Sequence, residues 1–287
     1  MNQGPTGQPQ IDDAVVESYF DGAGGTTAAS MSMMAHGHNL PPNAVAHRIA
    51  REQRTIRDWL DAVPSSGKVL DVGCGAGAWV EIFANRYSSA IGVERSQLMV
   101  EAAIERVAHM PNAEILIGDG RKDLPDGPFD MIFVGGLFMY LNDADSLALL
   151  DSLKDRLSAG GSMILRESTV RTGVLLAKGE YQAIYRSVDS YHQIFREADI
   201  ACQEVIQNSG YRNIVTAEEL VSFRRKWLPF LPKDSALLGS LTWWALRATT
   251  PVSFWALPKL LSTLNVAWPR LQNHFLLLRP TSWKTGC

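Results

Sequence analysis

The stretch Lys68–Trp79, K-V-L-D-V-G-C-G-A-G-A-W, decides how the rest of the chain is read. Lys68 to Val72 has the length and apolar content of a buried strand, Gly73, Gly75 and Gly77 follow at alternate positions, and a helix is expected from about Ala78. Glycines suit that loop because a side chain would block both the tight turn and the approach of a ligand to the backbone. Free amides at a helix start favour an anion, and dinucleotide sites use this geometry. Asp71, just inside the strand, puts a negative charge where a pyrophosphate is unwelcome. A ligand with a positive end fits better.

Working outward, Ala78 to about Arg86 reads as a helix and Ala90–Val93 as a strand ending in Glu94. Glu94 lies 21 residues beyond Gly73, close to the roughly 20-residue spacing at which an acid ending the second strand meets ribose hydroxyls. Ser96 is placed to cap a helix running to about His109. Ala113–Ile117 is a third strand closed by Gly118-Asp119-Gly120, a turn that suits a flat base lying on backbone with the carboxylate taking an amino proton. Phe129–Val134 is a fourth, continuously apolar strand, as in a parallel sheet covered on both faces, and opens into Gly135-Gly136-Leu137-Phe138-Met139-Tyr140. A helix over Asp143–Leu157 ends at Ala159-Gly160-Gly161, and Ser162–Arg166 is a fifth strand. Five strand–helix alternations with short connections predict a doubly wound α/β sheet.

The flanks differ. Residues 1–62 are expected to form an N-terminal helical cap, with helices near Ile11–Phe20 and Asn43–Ala62 separated by a glycine-rich break and by Met31, Met33, Met34, His36 and His38. The core is placed at residues 63–210, and the polar, aromatic run 166–192 leads into a helix over Ser190–Ala198. Ala201–Gln207 is read as strand six and His274–Arg279 as strand seven, within a final stretch 273–287. Residues 211–272 form a helical insert broken by Pro229, Pro232, Pro251, Pro258 and Pro269.

Composition bounds the function. The 287 residues, 46% hydrophobic and 20% charged, bury a sizeable core. Cys74, Cys202 and Cys287 are scattered and lack metal-ligand spacing, so no metal is expected and a reducing, cytoplasmic setting is inferred. The N-terminus lacks the basic start and apolar core of a signal peptide. The net charge of −3 is uneven: from Ala217 onward nine Lys or Arg face three Asp or Glu, and six of the eight tryptophans fall there. A pI near 6.1 and the acidic remainder argue against nucleic acid. For the insert three uses stay open: a lid or subdomain over a partly apolar substrate, a homodimer contact, or peripheral contact with an anionic membrane through tryptophan and basic residues.

V-L-D-V-G-C-G-A-G, Glu94, G-D-G at 118–120, F-D-M-I-F-V-G-G and the Gly160-Gly161 turn together resemble the class I S-adenosylmethionine-dependent methyltransferases over Val69 to about Arg166. The resemblance implies a Rossmann-like seven-stranded sheet with the last strand antiparallel. It implies S-adenosylmethionine as cofactor and S-adenosylhomocysteine as product; with nucleic acid argued against by charge, the expected acceptor is a small organic molecule methylated on O or N. Gly73, Cys74, Gly75 and Gly77 would hold the methionine part, with Asp71 near its ammonium group and Gly135 alongside. Glu94 would take the ribose hydroxyls, and Asp119 with the Gly120 amide the adenine. A nicotinamide enzyme competes through Gly73, Gly75 and Ala78, but that fingerprint has no use for Asp71 or for G-D-G. A non-catalytic sensor of the cofactor is the other alternative. Catalytic candidates belong at the ends of strands four and five: His192 as general base, Glu167 and Tyr140 as orienting groups, with Arg166, Tyr181, Tyr185 and Tyr191 nearby.

Overall fold

The alternation that begins at Val69 becomes a sheet wound about the strand of the glycine loop. A computed structural model describes residues 10–23, 40–233, 235–250, 252–264 and 268–281. Its elements in order are α1 (Asp13–Ala23), α2 (Pro42–Thr55), α3 (Arg57–Asp61), β1 (Lys68–Val72), α4 (Ala78–Ala84), β2 (Ser89–Glu94), α5 (Gln97–Val107), β3 (Ala113–Ile117), β4 (Phe129–Gly135) and α6 (Asp143–Lys154). There follow β5 (Leu157–Val170), β6 (Val174–Ala177), β7 (Ala183–Ser187), α7 (Val188–Glu197), β8 (Ile200–Gln207), α8 (Ser209–Trp227), α9 (Ala236–Ala248), α10 (Leu257–Thr263) and β9 (Gln272–Pro280).

The strands pair in the order β3-β2-β1-β4-β5-β7-β6, with β9 beside β5 and β8. Pairs β1–β2, β2–β3, β1–β4 and β4–β5 are parallel, and the last strands are antiparallel. The order reverses between β1 and β4. In open α/β sheets the crevice outside the carboxyl ends at such a reversal holds the ligand, and the glycine loop leaves β1 there. Below it, Leu70, Ile132, Val134, Met163 and Leu165 alternate with residues of the opposite face and form a core with Leu149, Leu150 and Leu153 of α6 and Phe195 of α7. Burying each such side chain contributes roughly 1.5–3 kcal/mol.

Among the described residues the sheet has the seven expected strands and two more. The addition is the antiparallel hairpin β6–β7, in a run whose tyrosines and charges hide any alternation. All five residues of β7 are buried, including Arg186, because that guanidinium finds a carboxylate and two carbonyls inside. Strand β5 is also longer than expected, and α6 stops at Lys154, before Gly160. Ser96 stands at the start of α5 without a capping bond from its side chain.

The described residues divide into two compact units, one of residues 10–23, 58–206 and 274–281, the other of 40–57 and 207–273. The N-terminal stretch, expected to act as one cap, is therefore shared: α1 belongs with the sheet, whereas α2 packs its Ala44 and Val45 against Ile214 and Ala217 of α8 and Trp243 and Leu246 of α9. That second unit is stapled by buried Asn208, whose amide donates to Glu52 (2.8 Å) and Asn273 (2.8 Å) and whose oxygen accepts from the Tyr211 amide (3.1 Å).

Candidate active site at the carboxyl edge of the sheet

The glycine loop is a backbone device. Gly73, Gly75 and Gly77 hold φ of +71°, +54° and +75°, a region that strains L side chains. The Val93 carbonyl takes the amides of Gly73 (2.9 Å) and Cys74 (3.1 Å). Glu94 continues the lacing: one oxygen accepts from the Gly75 amide at 3.0 Å, the other from the amides of Arg95 and Ser96 at 2.9 Å each. An added Cβ at Gly75 would meet nothing within 4 Å, so the loop faces open space there. At Gly120 it would stand 2.6 Å from Val72, which shows how closely the turn after β3 approaches β1. The Cys74 thiol is pushed well up by burial and by the charges of Asp71 and Glu94, which leaves it no nucleophilic character.

Asp71 is almost fully buried, and burial pushes its carboxyl up to about 7; Arg166 pulls it down and Glu94 raises it further. The register explains the arrangement. Asp71 pairs with Phe133 and Gly135 with Arg166, so all four share one face of the sheet. Because Gly135 has no side chain, Arg166 folds across it, donating to its carbonyl (3.3 Å) and lying 6.0 Å from the Phe133 ring, which Trp79 covers on α4.

The loop after β4 is clamped from within by an acid and a base. Glu167, fully buried, accepts from the amides of Leu137 and Phe138 at 3.1 Å and lies 3.4 Å from the Tyr191 hydroxyl. Arg186 donates to the carbonyls of Phe138 (2.9 Å) and Leu141 (2.8 Å) and to Asp143 (2.5 Å). Burial pushes Glu167 up to about 7 against the pull of the Phe138 amide, Arg166, the Met139 amide and Arg186. In this structure Glu167 positions the loop from below. Arg186 had no signal in the sequence, since its strand had none.

Above that loop the hydroxyls of Tyr140, Tyr181 and Tyr185 form a chain, 3.1 Å and then 2.9 Å apart. Burial drives the Tyr181 phenol far upward, and the neighbouring phenols add to this. Tyr181, at the middle of the chain, therefore donates and accepts hydrogen bonds as a neutral phenol. Tyr19 and Phe20 of α1 stand edge-on to Tyr181 (5.0 Å) and Tyr140 (4.9 Å). His192 lies on α7 with its ring 6.4 Å from Phe195 and a buried Nε2 that has no hydrogen-bond partner. Met31, Met33, Met34, His36 and His38 lie outside the described residues.

Helix α1 runs along this edge and touches the loops after β2, β3 and β4. Ile11 exchanges two bonds with Asn142, Glu17 pairs with Arg95 (2.7 Å), and Asp13 pairs with Arg121 (2.8 Å). Arg121 also grips Asp119 through three bonds of 2.8–3.1 Å. Burial raises the Asp119 carboxyl, but the bonds from Arg121 outweigh it and leave it lowered. Asp119, expected to read a base amino group, thus also anchors the latch of α1. The bidentate pair fixes the Arg121 guanidinium for its single bond to Asp13 on α1, which contributes the roughly 0–1 kcal/mol of an exposed pair. Arg121→Ala should accordingly speed amide hydrogen exchange in residues 13–23 about fivefold, a change of ~1 kcal/mol, while the sheet keeps its protection. Unaltered exchange in α1 would show that its apolar contacts hold it alone.

Residues 69–161 match the family model described as a methyltransferase domain. The chain is 33% identical over 117 residues to the trans-aconitate 2-methyltransferase of Rhizobium rhizogenes (strain K84 / ATCC BAA-868), covering 39% of this chain and 44% of that one. The chain spans about half the length of the curated relatives it matches. In fold it is similar to a SAM-dependent methyltransferase of Leishmania major (TM-score 0.57, 20% identity, 69% of this chain and 76% of that one). It is similar also to the O-methyltransferase of a trans-AT PKS multienzyme of Brevibacillus brevis in complex with S-adenosyl-L-homocysteine (TM-score 0.54, 18% identity, 82% and 75%).

Proposed function

We propose that this chain, whose residues 69–161 match a methyltransferase domain, transfers a methyl group from S-adenosylmethionine to oxygen or nitrogen of a small, partly apolar organic molecule. The observation that carries this is Asp71: a buried carboxylate placed under a backbone loop that faces open space. A dinucleotide phosphate would be repelled there, whereas an ammonium group would relieve the burial cost by pairing. Asp71 would hold the amino-acid end together with Gly73, Cys74, Gly75, Gly77 and Gly135. A carboxylate offers about four lone-pair sites, three of which in Glu94 are taken by amides, so the oxygen facing Gly75 keeps one for a ribose hydroxyl. Asp119 and Gly120 would meet the base. The cofactor, when bound, supplies an activated methyl group that leaves by in-line displacement.

What the chain's own residues do follows from their surroundings. Tyr140 and its partners orient the acceptor atom through their hydroxyls, and Tyr19 and Phe20 on α1 shed water from that side. Glu167 and Arg186 hold the loop that carries Tyr140. For an acceptor that must lose a proton we assign the base to His192, early in a helix that starts at the carboxyl edge. Small-molecule acceptors agree with the names of the relatives and with the acidic charge of the core.

Titration calorimetry with S-adenosylmethionine and with NADH, followed by S-adenosylhomocysteine formation over a panel of hydroxylated and amino-bearing small molecules, tests this. Micromolar binding of S-adenosylmethionine, none of NADH, and product with at least one acceptor class are expected. Cofactor binding with no turnover on any acceptor would favour the sensor instead. A pH–rate profile unchanged in His192→Gln would remove that residue from the mechanism.

A further inference from the structure

Among the described residues, large exposed apolar side chains gather in the second unit, between Phe223 and Leu264. Three successive helical segments each leave a stripe outside. At the end of α8, the rings of Phe223 and Trp227 lie tilted against each other at 6.0 Å, one turn apart, and Phe230 follows at 78% exposure. On α9, Leu237, Leu241 and Trp244, spaced i, i+4, i+7, face solvent while Gly239, Trp243 and Leu246 are buried on the opposite side. Along α10 and at its C-cap, Leu257, Leu260 and Leu264 are likewise exposed, at i, i+3, i+7. A helix apolar on both faces belongs inside a protein or in lipid, and α9 is not inside.

Charge identifies what covers it. From residue 223 to 264 there are six Lys or Arg and one acid, in a chain whose net charge is −3. Lys226, Lys233 and Lys259 are exposed along the same stretch, and Lys226 lies 5.5 Å from the Trp227 ring. Tryptophan, leucine and lysine in this mixture suit the headgroup boundary of a bilayer, where rings and aliphatic stems sink and ammonium groups stay with anionic lipid. A second copy of the chain would bring the same positive charges face to face. No helix among the described residues is long and apolar enough to cross a membrane, so the contact is superficial.

We infer that the apolar stripes of residues 223–264 seat the second unit on an anionic lipid bilayer, with Lys226, Lys233 and Lys259 contacting the headgroups. The attachment is independent of methyl transfer and is tested without cofactor. The purified full chain is floated with vesicles of phosphatidylcholine alone and of phosphatidylcholine with 30 mol% phosphatidylglycerol, in 50 and 500 mM NaCl. Recovery with the anionic vesicles in low salt should exceed that with neutral vesicles at least tenfold and fall several-fold in high salt. A lysine brought to an anionic surface contributes about fivefold in affinity, so Lys226→Glu with Lys259→Glu should abolish the preference for anionic vesicles. Leu237→Gln, Leu241→Gln and Trp244→Gln together, all at exposed positions, should abolish flotation with the circular dichroism spectrum unchanged. No flotation of the wild type, or flotation of the triple variant equal to wild type, overturns the inference. So does lipid-free dimerisation that the triple variant abolishes when the wild type does not float, since the occupant is then a second copy.

Discussion

Glu94→Ala is expected to weaken S-adenosylmethionine binding by about 100-fold, through one lost charge-assisted hydrogen bond worth roughly 1.5–3 kcal/mol and a loosened glycine loop. The carboxylate holds the Gly75 amide at 3.0 Å and those of Arg95 and Ser96 at 2.9 Å, so its removal frees the turn that the ligand must meet. Glu94→Gln keeps the side chain's size and one acceptor oxygen, and should lose about tenfold. Calorimetry on the three proteins checks this ordering. A dissociation constant for the alanine variant within threefold of wild type would refute the ribose role. Fraying of the loop alone would appear in Glu94→Ala as faster amide exchange at Gly75 without loss of affinity.

Asp71→Asn separates binding from stability. With its carboxyl at about 7, Asp71 is part-protonated at neutral pH, and an ammonium group beside it would lower that value. Cofactor affinity should therefore increase as pH rises through about 7, with proton release that calorimetry detects in buffers of different ionisation enthalpy. The asparagine variant should bind roughly 10–100-fold more weakly at pH 8, with no proton release. Stability goes the other way. A carboxyl raised in the folded state contributes stability that is fully present below its unfolded value near 4 and is lost as pH rises through about 7. Asparagine carries no such loss, so the ligand-free variant should match wild type below about pH 4 and melt progressively higher than it from there to pH 8, by about 2–4 °C for each kcal/mol relieved. Glu167, also at about 7, adds the same pH slope to both proteins. Equal melting temperatures across this range would place the charge of Asp71 in water, contrary to its burial.

The alternation of strands and helices and the glycine loop were legible because their determinants are local. Val69 to Val72, the glycines after them and the acid 21 residues on lie within one β-α-β unit, where chain length itself sets the geometry. The hairpin was not legible: Ala183-Ile184-Tyr185-Arg186-Ser187 shows no period of two, and it is buried only because Arg186 meets Asp143 across 43 residues. The same limit applies to Glu167, whose partners come from the loop after β4.

The sequence by itself determined a doubly wound sheet with a glycine loop leaving its first strand, since the positive φ of those glycines and the alternation of strands and helices are set by local residues. Only the tertiary structure decided which charges are engaged and which faces remain open. Arg121 reaches Asp13 across 108 residues, so α1 is tied to the cofactor edge by a bond that no local pattern encodes. Trp243 and Trp244 are neighbours in sequence, yet the first is buried among α2 and α8 and the second is 57% exposed. Composition made the two alike. Their 100° separation around α9, once its inner face has packed, turns one into core and the other into surface.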